Sequence, residues 1–294
     1  MLGILRKKFP GLEIEALSIG KRKNDPSLNE DGYVVTNNTF AVIDGSAPRV
    51  DLKFDGKSTA RFATDVVRNV FLTTSPSVNG RELVSSITKE LNREINKIGI
   101  RNIIKKTKEA CPAALFTSAR IVGDKMIITA LGDVSCRLNG KVIHVYNFET
   151  EKLMTIKRIH TMRNAKKKNP SISDEELQGI GRLAMQEDLK KQVGNYFNNP
   201  NSELGLGIIN GDPVPDKFIK TYTFDLKDIK TLELFSDGYF ILPDNAEIKS
   251  WEKAFFAGEK EDPLRWSKYP AVKSSSKNMF SDDRTIVVVN LTRK

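Results

Sequence analysis

The chain has 294 residues, 39% of them hydrophobic, which suffices for one large domain or two small ones around a substantial core. Lys and Arg number 47 against 37 Asp and Glu, a net charge of +10, while 2 cysteines exclude a disulfide framework and point to a reducing compartment. The apolar stretch after Met1 is too short for a signal peptide and no later run approaches the roughly 20 residues of a membrane span, so the expectation is a cytoplasmic protein with no membrane segment.

In chain order, Leu12 to Ile19, Tyr33 to Thr36 and Phe40 to Ile43 predict strands, the last two joined at Asn37-Asn38, a pair suited to turns. Ala60, Ala63, Val66, Val67 and Val70 recur at helical spacing between Ser58 and Phe71, and Leu83, Ile87, Leu91, Ile95 and Ile98 do so between Arg81 and Ile98. Ala114 to Val122, Lys125 to Leu131, Ser135 to Leu138 and Lys141 to Tyr146 predict an antiparallel meander turning at Gly123-Asp124 and Asn139-Gly140. Lys152 to Ser173 is basic without a single acid and reads as a solvated helix or loop, or as a surface for phosphoproteins. Lacking interleaved aromatics, it is a weak signal for nucleic acid. Asp174 to Phe197 predicts a helix opened by a capping box of Ser173 and Glu176. Strands over Phe218 to Phe224 and Thr231 to Phe235, a helix over Ala246 to Phe256 and a strand over Thr285 to Leu291 complete the chain. This order implies α+β, helices packed on antiparallel sheets in one domain.

Several strand ends carry a carboxylate: Asn29-Glu30-Asp31, Ile43-Asp44-Gly45, Phe235-Ser236-Asp237-Gly238 and Asp282-Asp283-Arg284-Thr285. An acid where a buried strand meets the surface is costly unless something positive pairs with it. No Lys or Arg keeps a constant spacing from these segments, so the expectation is acids converging without dedicated cationic partners, as a site for hard divalent ions requires. Asp-Gly pairs are also common turn formers, and for Asp133 the turn and the site readings both stand. Cys111 and Cys136 read as small buried residues, and His144 and His160 as structural or exposed residues away from every motif.

These segments, with Leu131-Gly132-Asp133 and the Ile-Val-Val-Val that follows Thr285, resemble in order and spacing the metal-dependent protein phosphatase family (PPM, or type 2C) from Leu12 to Leu291. The Ser-Ala-Pro after Gly45 and the run from Gly207 to Asp212 are closer to its short, divergent bacterial members. The resemblance implies an α-β-β-α sandwich of two antiparallel sheets flanked by helices, a single domain over 1–294 with a basic helical insertion or flap at about 150–212. It further implies Mn²⁺ or Mg²⁺, two per chain with a third left open. Asp44 would bridge the two ions, the Gly45 carbonyl would bind one, and Asp237 with Asp282 would hold the other, which makes Asp44, Asp237 and Asp282 the expected catalytic residues. Glu30 and Asp31 would orient water, and Asp133 matches the ligand of the third ion. The implied reaction is hydrolysis of phosphoserine and phosphothreonine in phosphorylated proteins by metal-activated water.

Two departures stand out. Asp25-Pro26-Ser27-Leu28 occupies the spacing of the family's phosphate-binding Arg, which leaves Arg22, or its neighbours Lys21 and Lys23, as the expected phosphate binder. Ser46 stands where eukaryotic members carry a His. They keep open an alternative, a catalytically weak pseudophosphatase acting as a protein-binding module. Nucleic acid is not the expected partner, and oligomeric state is not legible.

Overall fold

In the computed structural model, which describes residues 3–47, 50–145 and 148–292, the chain begins with β1 (Leu5–Phe9), β2 (Leu12–Ile19), β3 (Gly32–Val35), β4 (Thr39–Gly45), β5 (Lys53–Phe54) and β6 (Lys57–Ser58). Three helices follow, α1 (Thr59–Thr73), α2 (Gly80–Lys97) and α3 (Arg101–Lys106), and then β7 (Ala114–Val122), β8 (Lys125–Leu131), β9 (Ser135–Leu138) and β10 (Lys141–His144). Two long helices, α4 (Glu149–Lys168) and α5 (Asp174–Lys191), precede β11 (Lys220–Asp225), β12 (Thr231–Phe235), α6 (Ile248–Glu261) and β13 (Arg284–Leu291).

The strands form two antiparallel sheets, ordered β1-β2-β13-β12-β9-β10 and β11-β8-β7-β4-β3, with β5 and β6 a separate short pair. Period-two alternation builds three layers of core from them. Phe40, Val42, Ile128, Leu232, Leu234, Val287 and Val289 fill the space between the sheets. Ala41, Ile43 and Phe116, on the opposite face of their strands, meet Val67, Phe71, Leu83 and Ile87 of α1 and α2. Phe235, Ile286 and Val288 meet Trp251 and Phe255 of α6. The result is the expected sandwich with helices outside both sheets. A buried ion pair stitches α6 to its sheet, Arg284 donating to both carboxylate oxygens of Glu252 at 2.8 Å, and a second, Arg137 with Glu233, joins the neighbouring strands β9 and β12.

The meander is corrected. β7 and β8 pair in one sheet, but β9 and β10 belong to the other, so the chain crosses the sandwich between Leu131 and Ser135. Gly132 makes the crossing at φ +94°, a conformation that a side chain would strain. Tyr146, placed at the end of the fourth predicted strand, lies outside the described residues. β1 carries no apolar pattern, because it is an exposed edge strand held by the cross-strand pairs Arg6–Glu15 and Lys8–Glu13. The predicted capping box of Ser173 and Glu176 opens α5.

The basic stretch forms most of α4 and is not simply a solvated face. Arg158 is 2% exposed and donates to the carbonyls of Leu264, Arg265 and Ala271, while Arg163 donates to that of Trp266. With Met162 and Leu177 packed on Leu264, the α4–α5 hairpin is clamped to the segment after α6.

Candidate active site

The antiparallel register gathers the acidic segments at one end of the sandwich. Gly45 at the end of β4 faces Ala114, Leu131 at the end of β8 faces Phe116, Phe235 faces both Ser135 and Ile286, and Arg284 faces Ile19. Gly32 at the start of β3 faces Ile43, so the residues at or beside these positions are neighbours: Lys21, Glu30, Asp31, Asp44, Asp133, Asp237, Asp282 and Asp283. Two glycines permit the closest approaches. A side chain at Gly45 would collide with the Glu30 carbonyl, and one at Gly238 with the Asp283 carbonyl.

Hydrogen bonds hold these acids in place. The Ser236 hydroxyl donates to Asp31 Oδ2 at 2.7 Å and accepts from the Thr285 amide at 2.9 Å, tying the entry to β3 to the β12–β13 pair. Lys21 donates through its backbone amide to Asp283 Oδ1 at 2.7 Å and through Nζ to Asp283 Oδ2 at 3.1 Å and Glu30 Oε2 at 3.0 Å. Ser58 donates to the other Glu30 oxygen at 2.9 Å. Lys273 forms an ion pair with Asp282, whose second oxygen lies 3.6 Å from Lys21 Nζ. The expectation of acids without cationic partners is thus corrected: two lysines from distant loops sit among them. Neither keeps a constant sequence spacing from the acids, which is why the sequence hid them.

Charge remains out of balance in spite of the lysines. Loss of solvation and mutual repulsion hold Asp31, Asp44 and Asp133 well above the usual carboxylate range. Lost solvation and Asp282 raise Asp237 too, and Asp44 lies within hydrogen-bonding reach of it. Asp282 moves the other way; desolvation opposes its ionisation, but Lys273 and then Lys21 lower it below the ordinary value.

Asp133, Asp237 and Asp282 open into a cleft of about 710 Å³, together with Arg265, Lys273 and Lys152. Val142, Val145, Ile156 and Leu242 are among the apolar residues of its wall. Thr155 and Ile156 come from α4, so the basic insertion does border the acidic end. A second cleft of about 500 Å³, lined by Pro10, Asn37, Ile121 and Leu291, lies at the opposite end of the strands, far from this cluster.

Arg22 does not join the cluster: its side chain is exposed and its backbone bridges to Met279, outside the cleft. Arg265, which sequence reasoning missed, does. It is 2% exposed, stacks on Phe240, donates to Ser281 Oγ at 3.1 Å, and leaves Nε and Nη1 without a hydrogen-bond partner. His144 lies nearer a motif than expected, since Nε2 bonds the Gly132 carbonyl at 2.9 Å. A carbonyl only accepts, so Nε2 carries the proton and Nδ1 faces the Tyr222 hydroxyl at 3.3 Å, a structural role for a ring that burial keeps neutral. His160 is exposed on α4. Cys136 is buried and Cys111 partly so, and both are free thiols.

The donor chemistry fits hard divalent cations: every candidate ligand is an oxygen, the acids outnumber the lysines among them, and Asp133 Oδ1 is buried with no hydrogen-bond partner. Among the described residues, no three acidic, His or Cys side chains already converge as a finished cage.

No family model matches the sequence, and no curated protein matches it. Solved structures do resemble the fold. The serine/threonine phosphatase PstP/Ppp of Mycobacterium tuberculosis aligns over 96% of this chain and 99% of its own, at 13% identity and a TM-score of 0.48. Phosphatase Stp1 of Staphylococcus aureus aligns over 94% of both chains, at 13% identity and a TM-score of 0.49. A third, from S. agalactiae, aligns over 95% of this chain and 99% of its own, at 15% identity and a TM-score of 0.47. Likeness of this size decides neither the activity nor the site, which rest on the residues themselves. These structures, which the chain resembles in fold, are serine/threonine phosphatases.

Proposed function

We propose that the chain is a metal-dependent protein serine/threonine phosphatase. The observation that carries this reading is the gathering of Asp44, Asp133, Asp237 and Asp282 at one end of the sandwich, where they repel one another, beside a cleft that also presents Arg265 and Lys273. Asp44, the Gly45 carbonyl, Asp237 and Asp282 would hold two Mn²⁺ or Mg²⁺ ions, with Asp133 available to a third. Bound there, such ions supply Lewis acidity and lower the pKa of water. Glu30 and Asp31 have the positioning role: their carboxylates are engaged by Lys21, Ser58 and Ser236, which keeps the β3 entry in register with Asp44. Of the basic residues, Arg265 and Lys273 line the cleft that a phosphate monoester would enter, and they take precedence over Arg22 as its contacts. Substrates would be phosphoserine and phosphothreonine in proteins, with α4 and the basic insertion at 150–212 acting as the flap they meet. The free cysteines agree with a cytoplasmic setting, and among the described residues no helix is long and apolar enough to cross a membrane.

One observation favours a second reading. Lys273 already neutralises Asp282, as it would in a pseudophosphatase that binds phosphoproteins without turning them over. Hydrolysis of p-nitrophenyl phosphate and of a phosphothreonine peptide, with Mn²⁺, with Mg²⁺ and with a chelator, separates the two. The phosphatase turns over only with metal and loses at least about a hundredfold in Asp237→Ala. Absence of turnover from folded protein under every condition gives the second reading its place.

A further inference from the structure

We infer that Lys273 is a tethered counter-ion that competes with a divalent cation for Asp282. The inference rests on the metal site proposed above and adds to it a residue that sets the affinity of that site.

The geometry supports it in three ways. Lys273 pairs directly with Asp282, and its charge also acts on Asp237 and Asp44, the acids assigned to the ions. Its side chain is 41% exposed, on the irregular segment between α6 and β13, so a rotation about its four-carbon stem can carry the ammonium into the cleft without moving a strand. Lys21 differs: its side chain is only 17% exposed, and its backbone amide as well as its ammonium is bonded to Asp283. Lys21 is built into the wall, whereas Lys273 is held by one end.

An ammonium on a ligand acid and a divalent ion on the same acid repel at close range, so one must leave for the other to bind. In the absence of metal, Lys273 spares Asp282 the cost of an unpaired charge in a crowded acidic site. When metal binds, that pairing is lost, and the measured affinity is lower than the acids alone would give.

The test is calorimetric titration of MnCl₂ into the chelator-treated full chain, with no turnover involved. Lys273→Met keeps the stem and removes the charge. It should bind Mn²⁺ about tenfold more tightly than the parent, the size expected for a pair between fully exposed and fully buried, and its metal-free melting temperature should fall. Lys268→Met makes the same change in net charge at a residue paired with Glu261 and should leave the affinity unchanged. Lys273→Arg keeps a cation and should bind no more tightly than the parent. Unchanged or weaker Mn²⁺ binding by Lys273→Met overturns the inference while leaving the metal site standing, and tighter binding by Lys268→Met to the same degree also overturns it. If no protein in the series binds Mn²⁺, the metal site itself is refuted and the competition with it.

Discussion

At the scale of single residues, the acidic end is a place where the fold sacrifices stability. Asp31, Asp44 and Asp133 are held above the ordinary carboxylate range, so the folded chain retains protons that the unfolded chain has released. Their contribution is therefore fully present below about pH 4 and is lost as pH rises through the raised folded values. Asp282, lowered in the fold, acts oppositely, but only below that same value near 4. His144 opposes them only below about pH 6.5. The metal-free protein should consequently melt at progressively lower temperature as pH rises above about 6.5, and Asp44→Asn, which cannot ionise, should flatten the slope. Circular dichroism melts of chelator-treated protein across that range check this, and a melting temperature that rises with pH contradicts it. The carboxylates themselves were legible in sequence because Asp44 and Asp237 close apolar strands and Asp282 stands just before one. The cations on them were not, since Lys21 and Lys273 lie in segments with no periodicity.

At the scale of elements, two contacts hold the site in shape. The approach of Gly238 to the Asp283 carbonyl brings the end of β12 against the start of β13, which sets Asp237 beside Asp282. Gly238→Ala should separate these strand ends and cost about 3 kcal/mol or more, read as a shift in the urea midpoint, with metal binding impaired in the protein that still folds. Arg158 is the second. Its guanidinium satisfies three carbonyls of the segment that carries Arg265 and leads to Lys273, so Arg158→Leu should cost about 2–4 kcal/mol and expose residues 262–273 to limited proteolysis, where the parent resists. Persistent resistance in the variant would show that α4 does not anchor that segment. Strands β2, β7, β8, β9 and β12 have the bounds predicted for them, since each places at least one face in an apolar layer of the core. The crossing at Gly132 escaped prediction because Asn139-Gly140 and Gly123-Asp124 look alike as turns, and local sequence does not say in which sheet the next strand finds its partner. Arg158 escaped for a related reason: a basic run looks solvated until the backbone carbonyls it satisfies come into view.

At the scale of the whole molecule, the net charge of +10 and the basic α4 beside the cleft favour encounter with anionic partners. For an acidic phosphothreonine peptide, kcat/KM should fall about fivefold between about 50 and about 300 mM NaCl, and by less for a basic peptide of the same length, because exposed charges are screened over about 8 Å at physiological ionic strength. Equal salt dependence for the two peptides would remove the electrostatic argument. By itself the sequence determined the α+β class, most of the strands and the acids at their ends, since alternation, helical spacing and strand-end residues are local properties that a chain expresses wherever it folds. Tertiary structure alone decided which acids share a site and what faces them. Lys21 and Asp283 are 262 residues apart, and only the pairing of β2 with β13 makes them neighbours. Register is a property of two strands at once, and the cleft, its lysines and the clamp from α4 follow from it.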